Sequence, residues 1–400
     1  MTTAPHRIRL PAAQQPTWTC DGLVENVRAD LAALPPLVEA SAVHRLRAEL
    51  ARAAQGTRFV LQGGDCAEPF LDSAPARITA KAAQLCSLAD LLTTRAGLPA
   101  VRIGRFAGQY AKPRSQAVET LADGTVLPVY RGDAVNRPTA DPAARRADPA
   151  RLRAAYDHAA ACLDTLLLRG HLAEDAAAGS VFTSHEALLV DLETPLVRED
   201  TEAGGHYSSS AHMLWIGERT RQLDGWHVGF AETVNNPVGV KLGPGASPDD
   251  VHELCERLTR GHGAGRLSLI TRLGAAETAR RLPALVEAAA DFTGRVVWLC
   301  DPMHGNTVRH SSGRKTRVLT DVLREVTDFF AVLRAHGVPP GGLHVEMTPD
   351  DVTECVDDPA GLATGALPRF RSTCDPRLAP AQARGLLMAT ADLLARKDTP

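Results

Sequence analysis

Eight short apolar runs recur along this 400-residue chain, and they constrain its fold more than any other feature. They occupy residues 59–62, 101–105, 181–183, 213–216, 238–241, 267–272, 296–300 and 343–347. Each has about the length of a strand, and most close on a glycine or a charged residue. Stretches with helical periodicity separate several of them, at 78–96, 152–169, 248–260, 275–290 and 320–336. Strands that alternate with helices predict a parallel sheet, and eight of them predict a (β/α)8 barrel. The alternation is weakest between the third and fifth runs. Upstream, a helical stretch ends at Leu31-Ala32-Ala33-Leu34 before Pro35-Pro36, and 43–54 has helical periodicity with Arg and Glu on its outer face. The expected organisation is an N-terminal extension, 1–57, packed on a catalytic barrel, 58–400.

The balance of 44 Lys plus Arg against 47 Asp plus Glu argues against a nucleic-acid or membrane-surface role. No apolar run is long enough to span a bilayer, and the first fifteen residues lack the apolar core of a secretory signal. The eight cysteines (20, 66, 86, 162, 255, 300, 355, 374) form no CxxC pair, which points away from a secreted disulfide framework. The expected location is cytoplasmic, and the expected assembly a homo-oligomer.

The ends of the runs carry the chemistry. Gly63-Gly64-Asp65-Cys66, Asp301-Pro302-Met303-His304, His344-Val345-Glu346 and Cys374-Asp375 each finish on a residue able to hold a metal. A thiolate, an imidazole and two carboxylates suit a divalent transition metal such as Mn, Co or Fe better than a closed structural zinc site. Arg105, Glu186, Glu218, Arg219, Lys241 and Arg272 stand at other strand ends. Taken singly, such a cation is usually a surface ion pair, and a lone cysteine a buried small apolar residue. It is the joint placement at the converging ends of barrel strands that argues for a site. Several cations beside a metal suit a phosphorylated, carboxylated substrate.

At these residues the chain resembles the type II 3-deoxy-D-arabino-heptulosonate 7-phosphate (DAHP) synthases. The matching stretches are Leu61-Gln62-Gly63-Gly64-Asp65-Cys66-Ala67-Glu68, Ala107-Gly108-Gln109-Tyr110-Ala111-Lys112-Pro113-Arg114-Ser115 and Thr183-Ser184-His185-Glu186-Ala187. Further matches are Trp215-Ile216-Gly217-Glu218-Arg219-Thr220-Arg221-Gln222-Leu223-Asp224-Gly225, Asp301-Pro302-Met303-His304-Gly305-Asn306-Thr307 and Cys374-Asp375-Pro376-Arg377-Leu378. The resemblance implies a metal-dependent condensation of phosphoenolpyruvate with erythrose 4-phosphate, the first step of the shikimate pathway. It implies Cys66, His304, Glu346 and Asp375 as ligands of the metal, with Mn2+ or Co2+ expected. It places phosphoenolpyruvate against Arg105, Lys112, Glu186, Glu218, Arg219, Lys241 and Arg272. Lys112, Arg114 and Ser115 would also reach the aldose phosphate. Lys112, Glu186 and Glu218 are the candidate catalytic groups, and either glutamate can be the one that positions the attacking water.

Three segments depart from the family pattern. The link 170–179 is short where longer members carry an extra helical segment associated with aromatic feedback, so the chain resembles the short, phenazine-type members that serve secondary metabolism. Trp226 and Gly229 stand where Ala and Glu are more usual. Pro368-Arg369-Phe370-Arg371-Ser372-Thr373 replaces a Tyr/His-bearing segment. Two alternatives are the same chemistry on an amino-sugar phosphate, and an inactive barrel acting as a binding subunit.

Overall fold

Strands that are apolar on both faces need cover on both, and a parallel barrel wrapped in helices supplies it. In the computed structural model, which describes residues 8–121, 123–172, 179–363 and 366–396, all eight runs become strands. They are β1 (Phe59–Gly64), β2 (Ala100–Arg105), β3 (Val181–Glu186), β4 (Met213–Ile216), β5 (Val238–Leu242), β6 (Leu267–Thr271), β7 (Val297–Cys300) and β8 (Gly342–Glu346). They pair in parallel and in sequence order into a closed barrel, the (β/α)8 architecture expected. The closing register sets Gly64 of β1 between Glu346 of β8 and Arg105 of β2. The last residues of three consecutive strands in the ring therefore meet at one mouth.

The outer helices are Pro75–Ala96, Ala150–Leu168, Trp226–Thr233, Pro248–Thr259, Thr278–Ala288, Leu319–Ala335 and Pro380–Ala395. Between β3 and β4 there is only a short helix, Val190–Glu193, and an antiparallel hairpin of Val197–Glu199 with His206–Ser208. That lies within the stretch from the third to the fifth run where the alternation is weakest in the sequence, although helix Trp226–Thr233 does separate β4 from β5. The helix expected over 275–290 starts later, at Thr278. The Gly274 and Ala275 amides are taken by the side chains of Glu325 and Asn306, which hold the preceding turn out of the helix.

Helix Ala40–Ala54 closes the bottom of the barrel. Its Leu46, Leu50 and Ala53 pack with Val60, Ile103, Met213, Trp215, Ile270 and Leu299 from the strands. Leu46 and Leu50 are fully buried, so truncating either to Ala costs about 2–5 kcal/mol. Helix Asp21–Ala33 packs on Ala150–Leu168. With one end plugged, the open end is the one where the strands finish. No described helix is long and apolar enough to cross a membrane.

Candidate active site and metal centre

Each strand end delivers a polar group to the mouth. Cys66 follows β1 by two residues, and its neighbour Asp65 is anchored by Lys81 at 2.5 Å and Arg377 at 2.7 Å. That pairing of buried charges fixes the turn that aims the thiol inward. His304 sits in the turn after β7. Its Nδ1 faces Asp301 Oδ2 at 2.7 Å, and its Nε2 lies 3.0 Å from Glu346 Oε1. Glu346 ends β8, is completely buried, and is also held by Arg317 at 2.8 Å and Arg105 at 3.1 Å. Burial alone would raise its carboxyl, but His304, Arg317 and Arg105 keep it well below the ordinary range. Asp375 arrives on the loop after β8, with one oxygen 3.7 Å from the Cys66 sulfur.

One ligand atom from each of Cys66, His304, Glu346 and Asp375 lies within 4.8 Å of all the others. Bonds of about 2.0–2.3 Å to a common ion would put ligand atoms up to roughly 4.6 Å apart, so the set fits an ion with little movement. The electrostatics fit as well. The acidic donors draw cations inward: the Lys112 ammonium rests against Cys66 and Asp375, and Lys315 Nζ lies 2.8 Å from Asp375. Asp301 takes the Nδ1 side of His304 and leaves Nε2 for an ion, the arrangement usual for a metal-bound histidine.

Beside this cluster runs a cleft of about 240 Å3. Cys66, Arg105, Lys112, Arg114, Ser115, Glu186, Glu218, Arg219, Lys241, Arg272, His304 and Asp375 all line it, so the expected site residues are brought together, with Glu346 buried next to His304. Arg105 is locked by the Trp215 ring, 5.2 Å away, and by His344, whose Nε2 accepts from the guanidinium at 2.6 Å. Lys241 pairs with Asp301. Burial takes its ammonium down to about 8, against the pull of that carboxylate. Arg272 donates to the His304 carbonyl at 3.0 Å.

The two glutamates differ sharply. Glu218 accepts from Arg221 at 3.1 and 3.2 Å and from the Gly243 amide at 2.6 Å, so its oxygens are engaged. Glu186 has a buried Oε1 with no hydrogen-bond partner, and burial pushes its carboxyl up to about 7. Gly217 makes room for it, since a Cβ there would fall 2.2 Å from that oxygen.

Four residues of the site were not read from the sequence. Asp301 and Arg317 hold two of the candidate ligands, His304 and Glu346. Gln109 ties the Glu186 amide (2.8 Å) to the Cys66 carbonyl (3.2 Å). Lys315 lies on the hairpin Thr307–Arg309 with Lys315–Arg317, inside Ser-Gly-Arg-Lys-Thr, a run that reads as an exposed polar turn. Asp301 and Gln109 lie within the quoted motifs, and that was the signal available for them. The link 170–179 lies largely outside the described residues, which omit 173–178.

A sequence profile described as the Class-II DAHP synthetase family matches residues 3–178 and 170–391. The chain is 40% identical to the phospho-2-dehydro-3-deoxyheptonate aldolase of Streptomyces coelicolor over 430 aligned positions, which cover 96% of this chain and 95% of that protein. It is 40% identical to the phospho-2-dehydro-3-deoxyheptonate aldolase AroG of Mycolicibacterium smegmatis over 435 positions, covering 96% and 93%. It is 44% identical to a probable phospho-2-dehydro-3-deoxyheptonate aldolase of Pseudomonas fluorescens over 384 positions, covering 96% and 95%. The first two alignments are longer than the chain itself, so those relatives carry segments with no counterpart here. With the profile and the relatives matching along nearly its whole length, and the ligand-bearing motifs gathered at one barrel mouth, the chain belongs to the Class-II DAHP synthetase family.

Proposed function

We propose that this protein condenses phosphoenolpyruvate with erythrose 4-phosphate to DAHP and phosphate. The observation that carries the proposal is the shared cleft, where a four-donor cluster adjoins the cations Arg105, Lys112, Arg114, Arg219, Lys241, Arg272 and Lys315, enough in number to meet two anionic substrates. Arg105, Lys241, Arg272 and Arg219 hold the phosphate and carboxylate of phosphoenolpyruvate. Lys112, Arg114 and Ser115, joined by Lys315, hold the aldose phosphate. A metal held by Cys66, His304, Glu346 and Asp375 supplies Lewis-acid polarisation of the aldehyde oxygen when bound. The mixed sulfur, nitrogen and oxygen donors favour Mn2+ or Co2+.

With both substrates held, the methylene carbon of phosphoenolpyruvate bonds to the aldehyde carbon as the enol C=C and aldehyde C=O π bonds open. The former aldehyde oxygen gains a proton to become a hydroxyl, which balances the one that water gives up next. Water then adds to the former enol carbon, the bond from that carbon to the phosphate oxygen breaks, and phosphate leaves. Glu186 is the group that orients the water and takes its proton, because its side chain lines the cleft and its Oε1 has no hydrogen-bond partner. The engaged Glu218 instead steadies the Gly243 turn that follows Lys241. The fixed cations act without reorganising during the reaction, which is where such sites gain most of their effect.

The family match falls into two segments that overlap at 170–178, which supports a short link where other members have more chain, and with it a role in secondary rather than feedback-regulated aromatic synthesis. A cytoplasmic homo-oligomer remains the proposed context. The test is phosphate release from phosphoenolpyruvate with erythrose 4-phosphate and with an amino-sugar phosphate, side by side. Release with the first alone supports the proposal, release with the second alone replaces the acceptor, and release with neither points to an inactive barrel.

A further inference from the structure

The N-terminal arm ahead of the first helix runs along the segments that follow β4, β3 and β2 at the open end of the barrel, and is pinned to each of them. Trp226 N–H donates to the Pro11 carbonyl at 2.9 Å, and Ile8 and Ala12 pack on the cluster of Trp226 and Phe230. Gly229, a departure from the family pattern, makes this seat: a Cβ there would fall 2.9 Å from Leu10 Cδ1. Further on, Gln15 donates to the Leu188 carbonyl at 2.8 Å and accepts from the Val190 amide at 3.0 Å, just beyond Glu186. Gln14 then turns the other way, with a left-handed φ of 63° that a non-glycine residue rarely adopts. That turn brings its side-chain oxygen to the Arg114 amide at 2.9 Å and to Arg131 Nη2 at 3.4 Å. Both neighbours are donors, so the atom facing them must be an acceptor. Arg131 in turn donates to the Gln15 carbonyl at 3.0 Å, and its own carbonyl accepts from the Lys112 amide at 2.9 Å.

From these contacts we infer that Gln14 is a positioning residue for the acceptor sugar, holding the backbone of the 112–115 turn so that Arg114 and Ser115 meet the aldose phosphate in a fixed place. The inference rests on the assignment of that turn to the aldose phosphate. Its physical basis is that a phosphate contact from a loop contributes only as far as the loop is held still. The arm holds it, and it links the turn after β2 to the chain just after β3, so these two neighbouring segments share one brace.

The test compares Gln14→Ala, Gln14→Glu and Arg114→Ala in the full-length, metal-loaded enzyme, measuring KM for each substrate. Gln14→Ala is expected to raise KM for erythrose 4-phosphate about threefold to tenfold, the effect of one lost hydrogen bond, with KM for phosphoenolpyruvate unchanged. Gln14→Glu keeps an acceptor for both donors and is expected to restore the wild-type KM. Equal effects of Gln14→Ala and Gln14→Glu, or equal rises in both KM values, would show a packing role and overturn the inference. An unchanged KM in Gln14→Ala beside a raised one in Arg114→Ala would overturn it while leaving the turn's assignment intact. An unchanged KM in Arg114→Ala would overturn the assignment, and this inference with it.

Discussion

Asp301 Oδ2 and His304 Nδ1 lie 2.7 Å apart, and Asp301 is fully buried. This one contact fixes which nitrogen of His304 is left for a metal. The same carboxylate also pairs with Lys241, so the candidate metal centre and the proposed anion site share a charge. Asp301→Asn is expected to weaken metal binding about tenfold to a hundredfold, as loss of a partner behind a ligating histidine usually does. Arg219→Ala, which removes an exposed cation of the same cleft, is expected to leave metal affinity unchanged while raising KM for phosphoenolpyruvate. Competition titration against a chelator measures the first quantity. Equal metal affinity in Asp301→Asn and wild type would remove the role given to this contact.

Two titrating groups of the cleft, Glu186 and Lys241, predict a pH profile. Burial raises Glu186 to about 7, so below that pH it is mostly protonated and cannot accept a proton from water. Burial lowers Lys241 to about 8, so above that pH it loses the charge that attracts an anion. In the free enzyme, kcat/KM for phosphoenolpyruvate should therefore rise through about pH 7 and fall through about pH 8. Glu68 and Glu325 are also raised to about 7 by burial, so the profile alone does not identify the group. Glu186→Gln should abolish the acid limb along with most of the turnover. An acid limb that persists unaltered in that variant assigns it to another carboxyl.

Cys374 lies near enough to Cys66 for the two thiols to influence each other, on the loop that delivers Asp375. Mild peroxide should inactivate the metal-free protein by joining the two sulfurs, with recovery on adding a thiol reductant. Bound metal should protect, because the proposed ligand set includes Cys66. In Cys374→Ser the loss should no longer be reversible by reductant. Peptide mapping checks the bond directly, and inactivation of that variant with the same reversibility as wild type would exclude it.

The sequence made the barrel legible because four of the apolar runs carry the residue they deliver, with Arg105, Glu186, Lys241 and Glu346 within or at the end of their strands, and the other four deliver theirs within a few residues. The C-terminal helix Pro380–Ala395 did not stand out, since its Ala- and Leu-rich run, with Gly385 inside, carries little contrast between faces. The choice between Glu186 and Glu218 lay beyond sequence reasoning, because it depends on partners: Arg221 and the Gly243 amide engage one, and Gly217 leaves the other free. Lys315 was hidden for the same reason. A lysine in a polar turn becomes part of a site only when its hairpin folds over Asp375. The arm around Gln14 shows no helical or strand periodicity, so its contacts with Arg114 and Val190 appear only in three dimensions.

The most direct measurement is phosphate release from phosphoenolpyruvate in the presence of erythrose 4-phosphate, before and after chelation, with Mn2+ or Co2+ added back. It is run on wild type and on His304→Ala, which removes one of the four donors. The account predicts that chelation abolishes turnover, that either metal restores it in wild type, and that His304→Ala loses metal and turnover together. Full turnover of His304→Ala in metal-free buffer would contradict it.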